Sequence, residues 1–385
     1  MKKPLFHYTL MAAMLAFTAT STCLAATAKK SVYKISDSEV QEIKQKYQQH
    51  VLKNYELVLS SNQDLLSKAR ELVKHPTEEN LQAAKQAWKA ARIAYSPTES
   101  FRFYGGPIDA ADSGPEGLLN AWPIDEQYID YIKENNNSGF VNNKKILPTI
   151  TKQSLIDLNE KDGERNVSTG YHAIEFLLWG QDFSTKNSGE RTTKDYSGVG
   201  DIEKRRGQTL IALCELLVDH SNSLVKAWQP DSTYVQAWNK EPAQEILRRI
   251  LVGITSLSAD EMAGERITVA FEKNDPEHEQ DCFSDFSIED LKANQNGIVS
   301  LYNESGLKEL FEKADKVQAQ KLSKEFDAVT VGLSKVTGSM DSAILDKKSK
   351  DRKHLMNVVL HLQKQAQIIS RIVQPWSIEL NVQHE

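Results

Sequence analysis

The sequence predicts an all-α protein with two helical-bundle domains packed side by side and a cleft between them. Apolar residues recur every three or four positions along most of the 385 residues, and no stretch alternates with the period of a strand. Two irregular acidic segments interrupt the helices. The length suggests more than one domain. We expect a signal peptide over 1–28, an N-terminal bundle over 29–200 and a C-terminal bundle over 201–385.

The N terminus has the three-part layout of a secretory signal peptide. Lys2 and Lys3 precede an apolar run from Leu10 to Phe17, and the small-residue stretch "STCLAATA" follows. No later segment is long and apolar enough to cross a bilayer. We therefore expect a soluble exported protein.

The overall charge argues against a nucleic-acid partner. The 47 basic and 53 acidic residues leave a net charge of −6, and no basic patch stands out. Cys214 and Cys282 would remain after cleavage. Cys214 lies in an apolar helical pattern and is expected to be a buried free thiol, although export would also permit a bridge between the two.

The first half begins with two long helices. Ser36 and Glu39 form a capping-box pattern, and Pro76 ends the first helix. The stretch "EENLQAAKQAWKAARIAYS" predicts the second helix. Residues 96–125 are irregular but rich in aromatic side chains, which indicates an ordered functional loop.

The remaining elements are also helical. A second irregular segment, "EKNDPEHEQDCFSDFS", divides the later helices, and the pairs Arg92-Ile93 and Arg266-Ile267 precede the two irregular segments as a faint internal echo. Helices are predicted near 125–135 and 151–160, over "TGYHAIEFLLWG", over 201–228 and 242–271, and from 288 towards the C terminus.

One apolar helix carries two side chains that can bind metal. His172 and Glu175 are three residues apart and therefore share a helix face, which Ser168 and Trp179 extend. The flanking residues are apolar, so the helix should be buried. A buried carboxylate needs a partner, because leaving it uncompensated costs several kcal/mol. A metal site and a buried ion pair both satisfy this need.

The bare pattern is not specific. His75 and Glu78 have the same spacing at a proline-broken junction, where both can face water, and we assign them no function. A zincin motif needs two histidines four residues apart on one helix, and position 176 is Phe.

The two irregular segments could supply further ligands and line the cleft. The candidates are Glu99, Arg102, Asp109, Trp122 and Asp125 in the first segment, and His278, Glu279, Asp281 and Asp285 in the second.

Three motifs together resemble a known family. "TGYHAIEFLLWGQD" resembles the Gly-x-His-x-x-Glu signature of the imelysin family, a group of exported bacterial proteins. "SPTESFRFYGGPID" with "NAWPIDEQYIDY", and "EHEQDCFSDFSIEDLKANQNGI", resemble its other motifs. The resemblance implies two helical domains, with Gly170, His172 and Glu175 facing a pocket where they meet. It also implies a periplasmic or outer-membrane-associated location and a link to iron uptake.

The resemblance also points to residues outside the signature. Ser284 and Asp285 match the "CFSD" core of the later motif, and Glu99, Asp109 and Asp125 match acidic positions of the earlier ones. The chain departs from the expected pattern before Cys282, where Gln-Asp stands in place of His-Ser.

These observations favour a protein that binds a divalent metal ion or a metal-bearing small ligand. Iron is the first candidate and zinc the second, and an envelope iron-transport system is the expected partner. A metallopeptidase of the imelysin type is the alternative, and a structural or partner-binding envelope protein is a third interpretation. The predicted metal ligands are His172, Glu175, Glu99, Asp125, Asp281 and Asp285. The predicted ligand-binding residues are Gly170, Ser168, Arg102, Asp109, Trp122 and Ser284.

Overall fold

The prediction of an all-α protein is confirmed. A computed structural model describes residues 32–380, and this part of the chain contains helices and no strand. The predicted signal peptide lies outside the described residues. The helices are α1 Asp37–Lys74, α2 Glu78–Tyr95, α3 Glu116–Leu119, α4 Glu126–Ile129, α5 Gly139–Asn142, α6 Lys152–Ile156, α7 Gly170–Trp179, α8 Asp201–Ala227, α9 Thr233–Trp238, α10 Ala243–Thr255, α11 Ala270–Lys273, α12 Ser287–Glu304, α13 Leu307–Ser334, α14 Met340–Leu345 and α15 Lys350–Val373.

Segments of 3₁₀ helix and one π-helix lie between several of these helices. A π-helix joins α10 to α11 into one continuous element. The π-helix covers Ser256–Val269, and 3₁₀ helices cover Ser96–Phe101, Thr193–Tyr196, Pro276–His278 and Gln374–Trp376.

Local signals in the sequence set the start of the first helix. The Ser36 hydroxyl accepts the backbone N–H of Glu39, and the Glu39 side chain accepts the backbone N–H of Ser36. This reciprocal capping box satisfies two donors that a helix start leaves unpaired. The predicted start of α1 is therefore confirmed.

The long helices form two bundles. In the first, α2 and α8 both pack on α1, and α7 packs on α2 and α8. In the second, α15 packs on α13 and on the π-helix, and α12 packs on α13. The predicted boundary between residues 200 and 201 stays a prediction; α8 begins there and packs on α1.

The two bundles meet where α12 lies on the 3₁₀ helix Ser96–Phe101. Gly297 of α12 permits this approach, because a Cβ atom there would lie 2.5 Å from the Cα of Pro97. The first irregular segment is thus held directly against the second half of the chain.

Two further sequence expectations concern cysteines and membrane spans. Both Cys214 and Cys282 are free thiols, and Cys214 is buried. Within residues 32–380, no helix combines the length and the apolar character that a bilayer span requires.

Gly170 begins α7 with a backbone conformation that side chains disfavour. Its φ is +87°, and a Cβ atom would lie 2.6 Å from the carbonyl oxygen of Leu119. Glycine therefore allows the start of α7 to rest against the end of α3.

We predict that Gly170→Ala lowers the free energy of unfolding by roughly 2 kcal/mol or more, because it adds positive-φ strain to a clash with backbone. Urea unfolding of the mature chain measures the change. Gly264→Ala is the matched control, since its new Cβ would lie 3.7 Å from its nearest neighbour outside its own helical turn, the carbonyl oxygen of Ala259. Equal stability of the two variants would contradict this account of Gly170.

Candidate metal centre

The start of α7 is held by a side chain from the preceding segment. Asn159 Oδ1 accepts the backbone N–H groups of Ser168 and Thr169, at 3.0 and 3.2 Å, and also the Thr169 hydroxyl. The Thr169 side chain itself makes no capping bond. Asn159 and Gly170 thus position the helix that carries His172.

His172, Glu175 and Asp281 form a buried triad. His172 is 1% exposed, and both carboxylates are 0% exposed. The His172 Nδ1 atom lies 3.2 Å from Glu175 Oε2 and 3.5 Å from Asp281 Oδ1. One nitrogen and two carboxylate oxygens therefore converge from α7 and from the loop before α12.

The loop before α12 orients Glu175. Its Oε1 accepts the Ser284 hydroxyl at 2.7 Å and the backbone N–H groups of Ser284 and Phe283 at 2.9 and 3.2 Å. Three donors satisfy Oε1, which leaves Oε2 facing His172. The carboxylate is thus held by one oxygen and presents the other to the triad.

The hydrogen-bond partners of His172 indicate which of its two ring nitrogens carries the proton. Arg92 can only donate, and its Nη1 donates to Asn120 Oδ1 at 2.6 Å. The same Oδ1 lies 3.3 Å from His172 Nε2, so a neutral imidazole carries its proton on Nε2. Its Nδ1 lone pair then points to Glu175 and Asp281.

The electrostatics of the triad agree with this arrangement. Burial, with the charges of Arg92 and Arg266, holds the pKa of His172 well below its usual value of 6.5. Burial raises the pKa of Glu175 to about 8 and raises that of Asp281 far above its usual range. Three groups with mutually facing lone pairs need a carboxyl proton or a cation between them.

Asp281 is incompletely paired. Neither of its oxygens has a hydrogen-bond donor among the described residues. Arg92 Nε lies 3.6 Å from Asp281 Oδ1, while the same guanidinium makes its closer contacts with Asp290. A buried carboxylate without donors is costly, and either a proton shared with the adjacent Asp290 carboxyl or a cation would relieve this cost.

Two buried arginines connect the halves of the chain around the triad. Arg92 of α2 binds Asp290 of α12, with Nε 2.8 Å from Oδ2. Arg266 of the π-helix binds Glu99 in the first irregular segment, and Asn294 Nδ2 adds a bond of 3.0 Å to Glu99. Each arginine is therefore neutralised by an acid from the other half.

A small cavity lies beside His172 and shares lining residues with a wider cleft. The cavity measures about 20 Å³ and is lined by His172, Trp122, Glu279 and Cys282, among others. A cleft of about 520 Å³ shares Glu126 with it. The cleft also carries Asp125, Glu134, Glu277 and a single arginine, Arg165. Solvent ions thus meet an acidic opening on the side of the triad.

The structure does not bring the other three predicted metal ligands to His172. Glu99 is occupied by Arg266 and by Arg102, whose Nη1 lies 3.1 Å from it. Asp125 caps α4 by accepting the backbone N–H of Gln127 and lines the outer cleft. Asp285 belongs to a different carboxylate group.

Some of the predicted ligand-binding residues position the triad, and one of them lines the small cavity. Ser284 orients Glu175, and Gly170 places α7. Trp122 lines the small cavity. The remaining three lie away from the triad: Ser168 donates to the Leu155 carbonyl, Arg102 binds Glu99 and Glu116, and Asp109 has one buried oxygen without a donor.

Sequence reasoning missed the residues that orient the centre. Asn120, Arg92 and Asp290 were not predicted to take part, and Glu279 was one acidic candidate among several. The only signal for Arg92 was its place in the repeated Arg-Ile pair. Nothing in the sequence distinguishes Asn120 from other loop amides.

The fold and the centre define a class: an all-α protein with a buried histidine–carboxylate group where two bundles meet. Residues 51–369 match the family model described as imelysin. The chain belongs to the imelysin family, which confirms the resemblance seen in its motifs.

Individual relatives agree with this assignment. Over 270 residues the chain is 27% identical to Iron-regulated protein A of Synechococcus elongatus, a match that covers 65% of this chain and 63% of that protein. A structure assigned as an iron-regulated protein A precursor from Parabacteroides distasonis has a TM-score of 0.70 at 15% identity, covering 90% of this chain and 97% of that one. An imelysin-like protein from Psychrobacter arcticum has a TM-score of 0.67 at 14% identity, covering 92% and 99%. At these identities the two structures show a shared fold.

We predict that Glu99→Gln lowers the free energy of unfolding at pH 7 by about 3–5 kcal/mol, because it leaves the buried Arg266 with only the partly exposed Glu261, at 3.5 Å, as a counter-charge. Burial raises the pKa of Glu99, but the charges of Arg266 and Arg102 outweigh it and lower the pKa to about 2. The stabilisation is complete above the usual pKa of 4.5 and is lost as the pH falls towards 2.

Urea unfolding between pH 7 and pH 3 tests this dependence. The difference in the free energy of unfolding between wild type and Glu99→Gln should decrease as the pH falls. The exposed Glu272→Gln should match wild type throughout. If the difference in the free energy of unfolding increased towards low pH, the ion pair between Glu99 and Arg266 would not be its source.

Proposed function

We propose that this protein binds a divalent metal ion through His172, Glu175 and Asp281, with iron(II) as the first candidate and zinc as the second. The observation that carries the proposal is the Nδ1 lone pair of His172 facing two carboxylate oxygens at 3.2 and 3.5 Å. A cation at that point would replace the carboxyl proton that these three groups otherwise need between them.

The donor set suits the proposed metals. One imidazole nitrogen with two carboxylate oxygens is a ligand combination accepted by iron(II) and zinc, whereas calcium and magnesium prefer oxygen alone. Asn120 on Nε2 and Ser284 on Glu175 would supply the outer contacts that orient such ligands. Water in the adjoining cavity would complete the coordination.

The route from solvent also supports cation binding. Asp125, Glu126, Glu134 and Glu277 line the outer cleft, and Glu126 and Glu277 also line the small cavity. Acidic side chains at an opening raise the local concentration of cations. The cleft and the cavity would therefore lead a metal ion to His172.

The comparisons give the proposal its biological direction. A relative of this chain is named for regulation by iron, and the N-terminal sequence of this chain predicts export. We propose that the protein acts in the periplasm or at the outer membrane, binding iron or a small iron-bearing ligand for an envelope iron-transport system.

Geometry favours binding over peptide hydrolysis. The space beside His172 is about 20 Å³, which is room for about one water molecule or ion. A peptidase has to admit a peptide bond to its metal. The metallopeptidase alternative would therefore require the loop before α12 to move away from α7.

We predict that His172→Ala and Glu175→Ala each weaken iron(II) or zinc binding by about 100-fold or more, beyond the 10–100-fold typical of outer-shell changes. Anaerobic titration and elemental analysis of the mature chain measure this. His75→Ala and Glu78→Ala are matched controls, because His75 and Glu78 have the same spacing and both are exposed. Equal metal content in all five proteins would refute the proposal.

We predict that Asn120→Leu weakens metal binding by about 10–100-fold although every proposed ligand remains, because His172 loses the acceptor that keeps its proton on Nε2. Nitrogen-15 NMR of the imidazole should show the Nε2–H tautomer in wild type and a mixture in the variant. Unchanged affinity with an unchanged tautomer would contradict the role of Asn120.

A further inference from the structure

A second group of carboxylates lies outside the triad. Asp182, Asp285 and Asp341 each offer one oxygen, and these oxygens all lie within 4.8 Å of one another. The three residues come from the loop after α7, the loop before α12, and α14. Segments separated by more than 150 residues therefore converge on one point.

Glu279 is a fourth acid beside this group. It is 1% exposed, and neither of its oxygens has a donor among the described residues. Its carboxyl group lies against that of Asp341, within hydrogen-bonding reach. Asp341 is itself 3% exposed and has an unpartnered Oδ1. Two buried acids thus lie carboxyl to carboxyl, and neither Glu279 nor Asp341 Oδ1 has a donor from any other group among the described residues.

The charges around the cluster do not neutralise it. Three carboxylates meet there with Glu279 beside Asp341, and Glu190 adds negative charge near Asp182. Lys89 is the cation that acts on Asp285, and it also lies over the rings of Trp179 and Phe286. Burial raises the pKa values of Asp341 and Asp182 to about 7 and about 6.

We infer that Asp182, Asp285 and Asp341, with Glu279 beside Asp341, form a second cation site that is selective for a hard divalent ion of the calcium type. All the donors are carboxylate oxygens, which calcium prefers, and the group lacks the nitrogen that favours iron or zinc. Asp182 and Asp285 are half-buried, so water can enter and complete a coordination number of six or more.

This ion has a different role from the metal at His172. It joins α14 to the loop that contains Asp281 and Ser284, the residues that approach Glu175 and His172. Ser339, at the start of α14, already contacts the loop after α7 through a bond of 2.9 Å to the Thr185 carbonyl. Calcium would hold these three segments together and so stabilise the loop that completes the triad.

Calcium titration of the chelator-treated mature chain tests the inference, with calorimetry and thermal unfolding as readouts. Wild type and His172→Ala should bind one calcium ion with similar affinity and gain thermal stability. Asp341→Asn and Asp285→Asn should lose roughly tenfold or more in affinity. Asp327→Asn, an exposed substitution of the same charge, is the matched control and should behave as wild type.

Zinc binding by the same variants shows that they are folded. Asp341→Asn should keep its zinc affinity within a few-fold, which separates this site from the His172 centre. The inference is overturned if wild type binds no calcium up to about 10 mM, well above the range of weak extracellular calcium sites. It is also overturned if Asp341→Asn binds calcium as wild type does, or if His172→Ala abolishes calcium binding.

Discussion

The rest of the candidate centre depends on two buried arginines that bind acids across the halves of the chain. Arg92 of the first half holds Asp290 of α12, and Arg266 of the π-helix holds Glu99 of the first irregular segment. Neither charge can be buried alone, because an unpaired ion in the interior costs several kcal/mol. The bundles must therefore meet in one register, and that register brings the loop before α12 to α7.

The same charges also determine the state of the imidazole. Arg92 donates to Asn120 Oδ1 and so fixes the orientation of the Asn120 amide. Asn120 Oδ1 in turn favours the His172 tautomer that carries its proton on Nε2. The nitrogen left without a proton faces the carboxylates. A contact between bundles thus favours one tautomer of one side chain, because Arg92 can only donate and therefore leaves Asn120 Oδ1 as an acceptor for His172.

Around the candidate centre, the buried acids outnumber the two buried arginines. Glu99 and Asp290 are paired with arginines, whereas Asp281 and Glu279 have no hydrogen-bond donor for either oxygen among the described residues. Asp281 lies beside His172, and Glu279 lines the small cavity and lies beside Asp341. Carboxylates in such places persist when protonated or when a cation joins them, which makes their distribution the strongest structural support for cation binding.

The sequence by itself determined the helices, the family and the pair on α7. Helical periodicity and caps are local, and residues three apart on one helix share a face wherever that helix lies. Only the tertiary structure decided which acid joins His172, because Asp281 and Asp285 lie four residues apart in one irregular loop yet belong to different groups. Asn120, Glu279 and Asp341 gain their roles through contacts between distant segments, and no local pattern records the packing that creates those contacts.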